Sequence, residues 1–446
     1  MFKRIKPNDN LIWIDAYIQR IKPYVHVRTE DNILIKKPNK ATKLNNFGAF
    51  VLSDLLNGTS IYKILKKFGK DKEQELNDFM LGIKNFMEDR LDVYTQNPAV
   101  QVIPFDLKFS KYPVLSEIAL TYKCNLKCKF CYAGCNCTVN PVGNNNELSE
   151  KEFQKIIDKI YKSAKVPSVS FTGGEPTLSD KLPGLIKYAK KLDMRVNLIT
   201  NGTQITKDYA KLLKKSGLHS VQISLEGITE DTHDFLVGIK GSYQNAINAV
   251  GYMKEQDIHV HTNTTLTKLN IHESSLFPKF IKEKLGLDKF SMNLIIPTGS
   301  TSFNEELVIE YSKIGIYLDK ILEESKRENV EFMWYSPVPM CMFNSVSTGM
   351  GNKGCAACDG LLSVAPDGSV LPCASFDQPV GNLMNTDFET IWQSKEVVSL
   401  REKNFAHDIC KNCENFNLCN GGCPLYWRAK GYDELYEHYN KINKTA

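Results

Sequence analysis

No stretch of about eighteen apolar residues occurs in this sequence, which excludes a membrane-spanning helix of ordinary length. The opening residues, Met1-Phe2-Lys3-Arg4-Ile5-Lys6-Pro7, lead into no apolar signal core, so the expected location is cytoplasmic, with no membrane partner. An Arg-rich arm or basic block is also missing. The 56 basic and 51 acidic residues are spread along the chain and leave a net charge of +5, so nucleic acid is not expected as a partner. Low-complexity tracts are absent. A composition of 42% hydrophobic and 24% charged residues is that of a globular protein, and 446 residues exceed one ordinary core, so three domains are expected.

Cysteine is what the sequence has in excess. The thirteen thiols fall in two groups, at 124–137 and 341–423. In a reducing compartment such clusters read as metal sites rather than disulfides.

Residues 24–36 form two short β-rich runs around a polar turn, which predicts a hairpin. Helices are predicted at 44–57, 60–68 and 72–88; in the last, Leu76, Phe79, Met80, Ile83, Phe86 and Met87 keep the spacing of one buried face. Together these make a winged-helix-like domain at 1–96, followed by a linker at 97–113. From 114 to 330 β and α segments alternate, with strands at 116–121, 168–172, 195–200, 220–224, 259–265 and 290–295. A capping box, Ser149 with Glu152, opens one of the intervening helices, and another helix closes the region at about 305–326. The fold class expected is α/β, a partial (β/α)6 TIM-type barrel. A Cys-rich, turn-rich domain fills 331–446.

Cys124, Cys128 and Cys131 follow the first barrel strand directly, so three thiolates sit on one loop at the C-terminal edge of the sheet. Such a loop can ligate three irons of a [4Fe-4S] cluster and leave the fourth open to a small molecule; on spacing alone, a zinc knuckle would also fit. The next strand ends carry Gly173-Gly174-Glu175-Pro176, Asn201-Gly202 and Ser224-Leu225-Glu226, at the edge where barrel active sites lie. Paired glycines admit close backbone approach, Glu175 could accept from an ammonium group, and Asn201, Ser224 and Glu226 could meet ribose or carboxylate.

At these residues the chain resembles the radical SAM superfamily, through Cys-x3-Cys-x-aromatic-Cys, with Phe130 at the aromatic position, and through Gly173-Gly174-Glu175-Pro176. The resemblance implies an oxygen-sensitive [4Fe-4S] cluster that binds S-adenosyl-L-methionine. It places Gly173, Gly174 and Glu175 near the methionine amino group and Ser224 and Glu226 near the ribose, and implies that the bound cofactor yields a 5′-deoxyadenosyl radical. An electron donor of flavodoxin or ferredoxin type goes with that chemistry. Cys135 and Cys137 lie beyond the motif and read first as structural thiols.

The second cysteine group resembles the SPASM extension, which carries auxiliary [4Fe-4S] clusters, one or two here; without that resemblance zinc would be an equal reading. Cys358, Cys373 and Cys423, with Cys355 or Cys341, would hold the first. An Asp367-Gly368 turn would bring Cys373 back beside Cys355 and Cys358. Cys410, Cys413 and Cys419 would hold the second. Here the sequence departs from the family, because no cysteine follows Cys423; Asp433, Glu434, His438, a substrate atom or solvent could be the fourth ligand, or the cluster could be smaller or absent.

Residues 8–93 resemble the recognition element that binds leader peptides of ribosomally made, modified peptides, with the hairpin at 24–36 and the segment 44–58 as carrying residues. The expected function is therefore a radical SAM maturase that captures a precursor peptide by its leader and installs a crosslink, first of all a thioether, with an auxiliary cluster accepting the substrate's electron. Alternatives are a maturase of a folded protein or tetrapyrrole-type cofactor, and a degenerate iron-sulfur binding or electron-transfer protein.

Overall fold

The computed structural model describes residues 10–37, 40–88, 110–135 and 147–445. Most of the expected linker at 97–113, and Cys137, lie outside the described residues. The chain divides into two compact units, residues 1–115 and 116–446.

In the first unit, α1 (Ile12–Ile21) precedes β1 (Val25–Arg28), β2 (Ile33–Lys36) and β3 (Lys40–Lys43), which form an antiparallel sheet in that order. Helices α2 (Asn46–Leu56), α3 (Ile61–Phe68) and α4 (Glu73–Met87) follow. The starts of α2 and α3 are fixed by side chains: Asn45 accepts from the Gly48 N–H and Ser60 from the Tyr62 N–H. Leu76, Phe79, Met80 and Ile83 of α4 are buried in one core with Ile14 and Ile18 of α1. Helix α1 and strand β3 are additions to the hairpin-plus-three-helix expectation. Leu11 gives α1 no side-chain cap, and Lys-Ala-Thr-Lys of β3 has no apolar alternation to mark it as a strand.

The second unit is built on β4 (Leu115–Ala119), α5 (Glu150–Lys162), β5 (Ser168–Thr172), α6 (Leu182–Lys191), β6 (Arg195–Thr200), α7 (Lys207–Ser216), β7 (Ser220–Ser224), α8 (Glu230–Val237), α9 (Ser242–Lys254), β8 (His259–Leu266), α10 (Phe277–Glu283), β9 (Lys289–Leu294), α11 (Tyr311–Glu328) and β10 (Glu331–Trp334). All seven strands run parallel in sequence order, so every strand end from β4 to β10 opens on the same edge. The six expected strands are present, and β10 is a seventh. The Ser149–Glu152 capping box forms in both directions. Helix α11 starts later than the expected 305 because Val308 is extended (ψ 130°) and, with Ile309, buried.

Beyond β10, strands β11 (Leu361–Val364), β12 (Ser369–Leu371) and β13 (Gly381–Asn382) continue the same sheet beside β4. The β11–β12 turn depends on Gly368, whose φ of +85° lies in the left-handed region. Short helices α12 (Phe388–Trp392), α13 (Lys395–Arg401), α14 (Asp408–Lys411), α15 (Phe416–Cys419) and α16 (Pro424–Lys430) lead to α17 (Asp433–Thr445). Among the described residues no helix is long and apolar enough to cross a membrane.

Candidate functional site

The segment from Tyr122 to Cys135, which carries Cys124, Cys128 and Cys131, has no helix or strand of its own. Hydrogen bonds from four directions hold it. From the end of β5, the Gly174 N–H donates to the Thr121 carbonyl at 2.8 Å and the Glu175 N–H to the Lys123 carbonyl at 2.9 Å. From the end of α8, the Val237 and Leu236 carbonyls accept from the Lys127 and Lys129 N–H groups at 2.9 and 3.0 Å. After β9, the Ser300 N–H donates to the Cys131 carbonyl at 2.8 Å. After β6, the Asn201 side chain donates to Asn125 Oδ1 at 2.9 Å.

The glycine pair is explained by this bracing. A Cβ on Gly173 would stand 2.2 Å from the Thr121 carbonyl oxygen, and one on Gly174 would stand 2.4 Å from that of Lys123. Glycine is required for the strand end to reach the cysteine loop, in addition to any approach to a ligand. Glu175 also differs from the expectation. Its carboxylate is fully buried and accepts from the Thr177 N–H (3.0 Å), the Thr177 and Thr200 hydroxyls (2.5 and 2.6 Å) and the Asn201 N–H (2.8 Å). Through these bonds Glu175 ties the β5 and β6 ends together; neither it nor Pro176 lines the cavity described next.

A cavity of about 410 Å³ opens beside the cysteine loop, within the size range of small-molecule sites. Cys124, Cys128, Cys131, Phe130, Gly173, Gly174, Asn201, Ser224 and Glu226 all line it, so the expected residues from three strand ends and the loop converge on one space. Cys135 lines it too. So do Cys373, expected at the first auxiliary cluster, and residues that the motifs did not mark, among them Glu117 and Tyr335. Glu117 alternates inward on β4, a pattern shared by every barrel strand, and nothing in the sequence singles it out.

Burial governs the titration of this wall. It raises the Cys124 thiol to about 11 and the Glu226 carboxyl to about 8, even though Glu226 accepts the Thr265 N–H at 2.7 Å. Cys131 goes the other way, down to about 6, because the Cys135 thiol hydrogen-bonds to its sulfur. His233 is held neutral, its value lowered to about 4 by burial, with Nδ1 accepting the Glu226 N–H at 3.0 Å.

The C-terminal thiols sort by the fold. The Cys358 N–H donates to the Pro372 carbonyl at 3.0 Å, which sets Cys373 beside Cys358. The Cys373 thiol interacts electrostatically with Cys355 and Cys423, and the Cys423 thiol with Cys355, which groups Cys355 with these thiols. Two cations stand against it: fully buried Lys403 donates to the Cys355 carbonyl at 2.7 Å and pairs with Asp359 at 3.0 Å, and Arg401 donates to the Cys358 carbonyl at 3.3 Å. Four thiols with buried Lys403 and half-buried Arg401 beside them suit an anionic iron-sulfur cluster. Among the described residues no three His, Cys, Asp or Glu side chains form a single-ion site.

Residues 118–275 match the model of the radical SAM superfamily, and residues 355–414 match that of SPASM, an iron-sulfur cluster-binding domain. The Fe-coproporphyrin III synthase of Methanosarcina barkeri is 30% identical over 342 residues, which cover 68% of this chain and 81% of that protein. The chain belongs to the radical SAM superfamily. This radical SAM enzyme is also 23% identical to the sporulation killing factor maturation protein SkfB of Bacillus subtilis, over 87% of its own length and 90% of SkfB. Its fold matches that of Streptococcus suis SuiB, solved bound to the precursor peptide SuiA, with a TM-score of 0.68 and 20% identity over 92% of this chain and 95% of that one. The two domains bring [4Fe-4S] clusters and S-adenosylmethionine as cofactors, and the donors present fit them, with three thiols and an open cavity in the barrel and further thiols in the C-terminal region. Gly174→Ala should displace the loop, and most of the iron that binds to the wild-type barrel should fail to bind; iron and sulfide analysis after anaerobic reconstitution reads this.

Proposed function

We propose that the enzyme is a maturase of a ribosomally made precursor peptide and that Cys124, Cys128 and Cys131 hold its S-adenosylmethionine-binding cluster. In this reading Phe130, Gly173, Gly174, Asn201, Ser224 and Glu226 form the cofactor side of the cavity, and Glu175 acts from behind as a positioning residue. When bound, the reduced cluster and S-adenosylmethionine supply a 5′-deoxyadenosyl radical that removes a hydrogen atom from the substrate. The chain's own part is to aim, to exclude water and to move protons. The single observation that carries the peptide reading is the N-terminal unit, a sheet whose edge strand β3 is short and polar, with Lys40 exposed and the other three residues half-buried. Such an edge can take an extended leader peptide as a fourth strand. The similarity to SkfB over most of both chains supports it.

Glu117 faces the cavity with Oε1 buried and without a hydrogen-bond partner among the described residues, and burial raises its pKa. It is the group placed to take a proton on Oε1 from a bound peptide. Forming a thioether removes two hydrogens from the peptide: one leaves as the abstracted atom, the cysteine S–H proton would go to Glu117, and the remaining electron would pass to an auxiliary iron-sulfur cluster held by the C-terminal thiols. The similarity to an Fe-coproporphyrin III synthase favours a second reading, a maturase of a tetrapyrrole-type cofactor.

Incubating the reconstituted enzyme with S-adenosylmethionine, reductant and the short peptide encoded beside it should give 5′-deoxyadenosine and a peptide lighter by two hydrogens per crosslink. Cofactor cleavage with an unchanged peptide, or turnover of an iron porphyrin instead, would contradict the peptide reading. Glu117→Gln should slow crosslinking by roughly 100-fold while 5′-deoxyadenosine still forms, as chromatography of both products would show.

A further inference from the structure

Cys410, Cys413 and Cys419 lie on the turns around α14 and α15, and a fourth thiol reaches them from a segment well ahead in the chain. The Met340 N–H donates to Cys419 Sγ at 3.2 Å, which puts the neighbouring Cys341 at this group. The turn that presents Cys341 is closed by the Met342 and Phe343 N–H groups on the Pro339 carbonyl, at 2.9 and 3.0 Å. Phe343 is buried and abuts Gly315 of α11, which anchors the turn on the barrel. From the opposite side, the His438 ring on α17 bonds to the Cys341 carbonyl oxygen at 2.7 Å. Electrostatic interactions link the Cys341 thiol to those of Cys419 and Cys413, and the Cys410 thiol to all three.

The other candidates for this position are less well placed. Glu434 accepts from the Tyr426 hydroxyl at 2.7 Å and from the Ser312 N–H at 2.6 Å. His438 is engaged with the Cys341 backbone. Asp433 is exposed at the start of α17. Thiolate is also the softer donor, suited to iron-sulfur centres where a carboxylate is not.

We propose that Cys341 is the fourth ligand of a [4Fe-4S] cluster held by Cys410, Cys413 and Cys419, supplied from ahead of the cluster-binding domain. The assignment has a consequence for the whole enzyme. Both C-terminal sets then have four thiolates and no open iron, so neither binds substrate through a metal–ligand bond. Only the loop at Cys124, Cys128 and Cys131 leaves an iron free.

The test uses the full-length chain with Cys124, Cys128 and Cys131 replaced by Ala, which removes the barrel cluster and should retain about eight irons and eight sulfides in two C-terminal clusters. Adding Cys341→Ala should lower the iron content, with a new three-iron electron paramagnetic resonance signal in the oxidised protein or loss of about four irons. Adding Cys341→Asp should keep the cluster with shifted g-values, a change that a purely structural role would not produce. Asp433→Asn and Glu434→Gln should each leave iron and spectrum as in the parent. The proposal is overturned if Cys341→Ala leaves both unchanged, if Cys341→Asp leaves the g-values unshifted, if either carboxylate variant causes the loss, or if metal analysis finds zinc in place of the second cluster.

Discussion

Everything at the barrel's open edge depends on a loop that cannot hold its own shape. The segment carrying Cys124, Cys128 and Cys131 makes few internal backbone bonds, so its carbonyl and N–H groups are satisfied from outside, by the ends of β5 and α8 and the loop after β9. Three thiolates aimed at one cluster need such fixing, because each misplaced sulfur forfeits a metal bond. The bracing also sets the sequence around it. Glycine at 173 and 174 is the only residue that lets the strand end reach the loop, and the buried Glu175 carboxylate locks the neighbouring strand end in register by accepting from Thr200 and Asn201.

Burial then divides the labour between the two ends of the cavity. On the barrel side a raised Glu226 and a neutral His233 leave few charges facing the space, which suits a reaction that must keep water out. On the opposite side Cys373 brings the first C-terminal thiol set to the cavity wall, with Lys403 and Arg401 behind it as compensating cations. The parallel sheet itself joins the two ends, since β11 lies beside β4.

The parts that were legible in the sequence are those encoded locally. The strands alternate plainly, the capping box at Ser149 forms as written, and the cysteines of the barrel loop converge because their spacing fits one turn-rich segment. Local reading failed where a role is set by a distant partner. Glu175 was expected to meet the ligand, and its bonds to Thr177, Thr200 and Asn201, which tie two strand ends together, were not foreseen. Glu117 was invisible as one inward residue among many. Cys341 could not be assigned from spacing, because the turn that carries it is positioned by Phe343 packing against Gly315 of α11 and by His438 of α17. Strand β3 was missed because a polar edge strand carries no hydrophobic period.

The proposed role of the braced loop leaves one iron open to the amino group of S-adenosylmethionine. Electron-nuclear double resonance of the reduced enzyme with cofactor labelled with nitrogen-15 at that amino group measures this directly. A nitrogen-15 coupling to the barrel cluster that disappears in Cys128→Ala is expected; a reduced barrel cluster with bound cofactor and no such coupling would rule it out.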